Sequence, residues 1–163
     1  MQIIDRLLDP YEYNLLRKVF LEDHDFPWYW RDSILLEGDD DYQLLHWLYK
    51  DGAPRSDHFD NIVPILDKLK IGALCKIKAN LNPRTEEIKE HGFHRDQDWK
   101  GVKTCVYYVN DNNGYTSFED GQRIQSKANR AVIFDGMTSH AGSTCTDEKR
   151  RIVININYYP IER

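Results

Sequence analysis

The chain has 163 residues, enough for one domain with a sizeable core, and its 40% hydrophobic and 30% charged content is that of a globular protein, not a disordered or fibrous one. Its formal net charge of −5 disfavours general attachment to a phosphate backbone. Three widely spaced cysteines, Cys75, Cys105 and Cys145, with no Cys-x-x-Cys, exclude a disulfide framework and fit a reducing compartment.

Charge enters at Asp5 and Arg6, too early for a secretory leader, and no stretch is apolar enough to span a bilayer. The expected localisation is cytoplasmic. Asp9-Pro10 has the form of an N-cap followed by proline at the first helical position. Leu15, Leu16, Val19 and Phe20 continue at helical spacing, so a helix is predicted to about Glu22. The aromatic run Asp25 to Trp30 is broken by Pro27. Gly38-Asp39-Asp40-Asp41 is predicted as a loop and Tyr42 to Tyr49 as a second helix. A third helix, capped by Ser56 or Asp57, carries Ile62, Ile65, Leu66 and Leu69.

After Ile71 the period changes to two. Cys75, Ile77, Ala79 and Leu81 fall on one face, and Lys76, Lys78 and Asn80 on the other. Lys103 to Asn110 is rich in β-formers, and Gln122 to Gln125, Ala131 to Phe134 and Ile152 to Tyr159 supply further strands. Asn112-Asn113-Gly114 and Asp120-Gly121 are hairpin signals. Helices first and short strands after predict an α+β domain over residues 1–163, with 1–70 mostly helical support and 71–160 an antiparallel sandwich or barrel.

His94-Arg95-Asp96 follows an extended segment, and His140 comes after the Phe134-Asp135-Gly136 turn. Two imidazoles and one carboxylate suit a divalent iron with open positions, and residues two apart at a strand end can reach one ion. With 6 histidines and 18 aspartates in 163 residues, chance supplies roughly 0.7 His-x-Asp pairs, so the motif alone is weak. The second pair, His58-Phe59-Asp60, opens a predicted helix, where residues two apart do not share a face. His91 lacks a carboxylate two residues on, and His24 and His46 have no ligand-like neighbours.

Ile152, Ile154 and Ile156 form one face of the last strand, and Val153, Asn155 and Asn157 the other. Arg151 shares parity with this mixed face and Arg150 does not; Lys149 shares it but lies too far towards the turn. An inward Arg151 offers a bidentate donor for a carboxylate, the alternative being a solvated basic turn. Tyr108 shares a face with Val106, opposite Tyr107 and Cys105, and its hydroxyl either assists Arg151 or belongs to the core. Asn80 and Asn155 lie on the inward polar faces. Lys76 and Lys78 either contact a co-substrate or an acidic substrate, or form a solvated strand face.

These segments resemble the 2-oxoglutarate- and iron(II)-dependent dioxygenases, in the prolyl-hydroxylase-like branch. His94-Arg95-Asp96 is similar to the proximal metal motif, Thr104 to Asn110 to the strand that follows it, and His140 followed by Arg151 and Ile-Val-Ile-Asn-Ile-Asn-Tyr to the distal end. The resemblance covers about residues 71 to 160, and the compact size resembles small bacterial and phage members. Asn113-Gly114-Tyr115-Thr116 stands where the family often has a Gly-Gly pair, and Asn157 where an aromatic is usual.

The resemblance implies a double-stranded β-helix, a cupin-like jelly roll, with N-terminal supporting helices. It implies Fe(II) held by His94, Asp96 and His140 as the catalytic centre, with 2-oxoglutarate bound by Arg151 and Tyr108. Asn80 and Asn155 are further candidates for its binding, O2 is the oxidant, and ascorbate is a candidate accessory. The expected reaction hydroxylates a C–H bond and releases succinate and CO2. A protein or peptide side chain, proline first, is the substrate the resemblance suggests. The alternatives are oxidation of a nucleic acid or free amino acid, or a non-catalytic jelly-roll binding module.

Overall fold

The computed structural model describes residues 1–34 and 41–161. The N-terminal part holds β1 (Gln2–Asp5), α1 (Pro10–Arg17) with a π-helical extension (Lys18–Glu22), β2 (Tyr29–Arg31), β3 (Gln43–Lys50) and β4 (Ala53–Pro54). A 3-10 turn (Phe59–Ile62) leads into α2 (Val63–Leu69). The strands that follow are β5 (Ile71–Pro83), β6 (Lys103–Tyr108), β7 (Tyr115–Phe118), β8 (Arg123–Gln125), β9 (Arg130–Asp135), β10 (His140–Gly142) and β11 (Arg150–Pro160).

The large sheet runs β1-β9-β6-β11-β5-β3-β2, with β4 beside β3, and the small sheet runs β10-β7-β8. Strand pairing is antiparallel throughout. This is the expected α+β double-stranded β-helix. Two apolar clusters hold it. On the outer face of the large sheet, Leu16, Phe20, Ile62 and Ile65 pack on Ile77, Ala79, Ile152, Ile154 and Ile156. Between the sheets lie Val106, Tyr108, Phe118, Phe134 and Val153.

Local signals place the helices. Asp9 accepts from the amides of Tyr11 and Glu12, while Glu12 accepts from the amide of Asp9, a reciprocal capping box in front of Pro10. Ser56 accepts from the amide of His58, but His58 itself holds the N-cap position of the 3-10 turn, so neither Ser56 nor Asp57 is the cap. The buried Asn129 pairs with both backbone groups of Leu8 and accepts from the Tyr107 hydroxyl, tying the N-terminal segment to the sheet.

The helix expected over Tyr42 to Tyr49 is instead β3, so the expectation of mostly helical support over 1–70 fails there. Both faces of β3 are covered: Leu44 and Leu48 lie on the helical cluster, while Leu45 is buried on the other side and Gln43 lines a cavity. A strand buried on both faces shows no alternation, and its leucines mimic helical spacing. Asn112-Asn113-Gly114 is no hairpin: β6 pairs with β9 and β11, and the segment crosses to the small sheet. Asp120-Gly121 does turn a hairpin, with Gly121 at φ +86 between β7 and β8. The predicted loop Gly38 to Asp40 lies outside the described residues. Among those that are described, no helix is long and apolar enough to cross a membrane.

At the sheet edge Asp5 accepts from Arg130 Nε at 2.6 Å and from Nη2 at 3.1 Å, bracing β1 on β9. The Arg130 hydrogen bond is the chief reason its pKa falls to about 2, from an ordinary 3.8. The carboxylate is 40% exposed, so solvent screens the pair. Asp5→Asn should therefore lower unfolding free energy at pH 7 by only about 0.5–1 kcal/mol. A depressed carboxyl pKa stabilises above the unfolded value, so the advantage over the variant should be complete above about pH 4 and vanish as pH falls through about 2. Denaturant titrations at several pH values check this; a pH-independent difference would contradict it.

Candidate metal centre

The two imidazoles meet through backbone pairing. His94 and His140 form an isolated antiparallel bridge, each amide donating to the other's carbonyl at 3.0 Å. Facing residues of such a pair project to the same side of the ladder. Asp96 lies beyond the bridge, its carboxylate 3.5 Å from His94 Nε2 and 3.8 Å from His140 Nε2. One donor atom from each of the three lies within 4.8 Å of the others. His140 Nδ1 is 3.0 Å from the Thr138 carbonyl and His94 Nδ1 is 3.3 Å from that of Gly92. A metal bound here would take Nε2 of each ring, in the tautomer whose Nδ1–H donates to the carbonyl.

Asp96 is anchored from three sides. Asn157 Nδ2 donates to its Oδ2 at 3.1 Å, the Thr104 hydroxyl does so at 3.3 Å, and Lys76 Nζ donates to its carbonyl oxygen at 3.0 Å. Burial alone would raise its pKa, but hydrogen bonding with His94, the charge of His140 and the Asn157 amide together hold it below the ordinary range. The carboxylate is therefore ionised at neutral pH. Burial lowers the pKa of His140, against the pull of Asp96. A neutral imidazole beside an ionised carboxylate is the protonation state a divalent cation requires.

The triad opens on a cavity of about 310 Å³ between the sheets. Lys76, Lys78, Asn80 and Asn82 line it from β5, and Asn157, Asn155, Val153 and Arg151 from the facing positions of β11. The triad stands near the Lys76/Asn157 end of this double row and Arg151 at the other. Arg151 is only 2% exposed, yet no carboxylate among the described residues pairs with it. Nε donates to the Ser126 hydroxyl at 2.8 Å, Nη2 approaches the Thr116 hydroxyl at 3.4 Å, and the guanidinium lies 5.6 Å from the Tyr108 ring centre. Arg150 turns outward and donates to the Leu21 carbonyl. The side-chain oxygens of Asn80, Asn82 and Asn155 are buried without a protein hydrogen bond. A cavity walled by unpaired amides and a lone guanidinium is built for a polar, anionic guest.

Asn80, Asn155 and Arg151 thus line the cavity, as inward parity predicts. Tyr108 faces between the sheets but does not line it; its hydroxyl donates to Thr116 at 2.8 Å and to the Ile124 carbonyl at 3.3 Å. Thr116, missed in the sequence, joins Tyr108 to Arg151 and itself lines the cavity. Gly114 was noted only as a departure from a pattern. A Cβ there would lie 2.7 Å from Arg151 Cδ and 2.6 Å from the Thr144 carbonyl, so Arg151 occupies the space a side chain would need. His58 packs on Phe26, and His46 bonds Pro27 and Ser56 from β3, both away from the cavity. His91 lines the cavity, with Nδ1 at 3.4 Å from Asp41, but is not in the converging group. Cys105 and Cys145 are buried, Cys75 is half-buried, and all three are free thiols.

The family model of the 2OG-Fe(II) oxygenase superfamily matches residues 46–159. No curated protein matches the chain by sequence. Among solved structures, a prolyl-4-hydroxylase from Pseudomonas putida superposes with a TM-score of 0.63 at 14% identity, over 97% of this chain and 91% of that one. A prolyl hydroxylase from Trichoplax adhaerens, in complex with a hypoxia-inducible-factor peptide fragment, gives 0.65 at 13% identity over 97% and 82%. The α-ketoglutarate-dependent epimerase SnoN of nogalamycin biosynthesis gives 0.66 at 12% over 97% and 76%. At such identities these structures speak to the fold, which carries more than one reaction.

Replacing Asp96 by Ala should weaken Mn(II) binding by more than the roughly 10–100-fold typical of losing a supporting hydrogen bond. Asn157→Ala, which removes only such a support, should fall inside that range. His91→Ala and His58→Ala should leave one ion per chain at unchanged affinity. Calorimetric titration measures all four, and near-wild-type affinity in Asp96→Ala would remove the triad from consideration.

Proposed function

The chain belongs to the 2OG-Fe(II) oxygenase superfamily, and from that premise we propose that it hydroxylates a C–H bond of a protein or peptide side chain, proline first. His94, Asp96 and His140 would hold Fe(II), and Arg151 the far carboxylate of 2-oxoglutarate, with Asn80 and Asn155 beside it. The observation that carries this reading is the buried Arg151, which has no acidic partner among the described residues and faces the triad along one polar cavity. The donor set fits the metal: two imidazole nitrogens and one carboxylate, leaving other positions open. Bound there, iron with 2-oxoglutarate and O2 would supply the oxidising power, with succinate and CO2 as co-products.

The remaining contributions come from the chain's own residues. Asn157 and Thr104 fix the carboxylate of Asp96, and the Thr138 and Gly92 carbonyls orient the imidazoles. Thr116 and Ser126 hold the Arg151 guanidinium in place for a bidentate anion. Tyr108 supports Arg151 through Thr116 and through its ring face. The peptide bound in the Trichoplax adhaerens structure favours a peptide substrate over a nucleic acid, as does the acidic balance. We take residues 1–163 as one dioxygenase domain, and the three free thiols as those of a cytoplasmic protein.

Purified protein given Fe(II), 2-oxoglutarate and ascorbate should release succinate, and host peptides incubated with it should gain the mass of one oxygen. Arg151→Ala should remove a buried charge-assisted contact worth about 2–5 kcal/mol, weakening 2-oxoglutarate binding more than tenfold while Mn(II) binding persists. Arg150→Ala should change neither. A damaging Arg150→Ala with a silent Arg151→Ala would defeat the assignment, and absence of succinate would favour a binding module.

A further inference from the structure

Between the triad and Arg151 the β5 wall carries two inward cations, and only one is committed. Lys76, opposite Asn157, spends its ammonium on the Asp96 carbonyl. Lys78, opposite Asn155, has no carboxylate or carbonyl partner among the described residues. Its neighbour is Trp47 of β3, paired with it across the ladder, whose ring centre lies 5.5 Å from Nζ. Lys78 is half-buried, and burial is the main reason its pKa is pushed down to about 8; Asp96 opposes that shift, while Lys76 and Arg31 add to it. Arg95 also lines this cavity. The wall is thus locally basic in a chain whose net charge is −5.

An ammonium drawn from water beside like charges is costly without an anion. Arg151 gives one built example of such a cation in this cavity, and Lys78 is a second at a different place along it. On the function proposed above, on which this step rests, the two carboxylates of 2-oxoglutarate go to the metal and to Arg151, which leaves Lys78 without one. We propose that Lys78 holds a carboxylate of the primary substrate, so that the oxidised C–H bond lies close to an acidic group. The ring of Trp47 flanks that carboxylate's position and supplies an apolar wall for the carbon next to it.

Two matched pairs of probes test this on protein loaded with Mn(II) and saturated with 2-oxoglutarate. One pair is a hexapeptide with proline flanked by Glu on both sides and its twin with Gln. The other is N-acetylproline and its neutral amide. Calorimetry should show the acidic member of at least one pair binding about tenfold more tightly than its twin, as a charge-assisted hydrogen bond allows. That preference should vanish in Lys78→Met, return in Lys78→Arg and survive in Lys50→Met, which alters an exposed lysine on the same ring. Preference within the peptide pair assigns the carboxylate to an acidic side chain; preference only for N-acetylproline assigns it to a free acid. No preference in either pair, or one that persists in Lys78→Met, overturns the proposal while leaving the proposed function intact. Loss of 2-oxoglutarate affinity in Lys78→Met but not in Arg151→Ala would overturn the co-substrate assignment, and the proposal with it.

Discussion

Alternate residues of β11 face opposite ways, and the strand is paired on both sides, to β5 and to β6. A slip by one residue would carry Ile152, Ile154 and Ile156 into the cavity and push Arg151, Asn155 and Asn157 against the helices. Burial of three isoleucines, at about 1.5–3 kcal/mol each, opposes any such slip. The site's inner wall is therefore held by apolar packing on the opposite face of the same strand. That is how a few polar side chains can line a cavity without dictating the fold. Their cost is met by the isoleucines behind them.

The same alternation decides what can be read from the sequence. Over Cys75 to Asn82 in β5 and Ile154 to Asn157 in β11 apolar and polar residues alternate, so Asn80 and Asn155 fall on one face by parity, while for Arg151 and Lys78 parity leaves a solvated position open that the fold closes. In β3 Leu44, Leu45, Trp47 and Leu48 serve two covered faces, and the pattern is lost. β1 and β10 are four and three residues long, too short to carry a period. The triad was legible because ligand chemistry marks its residues. The bridge that brings His94 to His140 was not, since it lies in backbone pairing. Thr116 and Ser126 are single hydroxyls on different segments, and only the folded chain brings them to Arg151.

Hydrogen bonding divides the site into a stiff part and an open part. Around Asp96, Asn157 and Thr104 hold Oδ2 and Lys76 holds the backbone carbonyl, leaving Oδ1 towards the His94 imidazole. Around Asn80, Asn82 and Asn155, amide oxygens remain without partners among the described residues. The first arrangement fixes a charge in place before anything binds. The second leaves room for a guest to satisfy what the protein does not. An epimerase of similar fold shows that the frame alone does not fix the reaction.

β11 follows every other described strand in sequence, yet it lies in the interior of the large sheet, between β5 and β6. During synthesis on the ribosome the nascent chain therefore carries two bare ladder edges, one on β5 and one on β6, until Arg150–Pro160 has emerged. Such edges recruit foreign strands. His94, Asp96 and His140 have all been translated by then, but the strand that bears Asn157 and Arg151 arrives only to close the gap. The strand that completes the cavity wall is therefore also the one that closes the sheet.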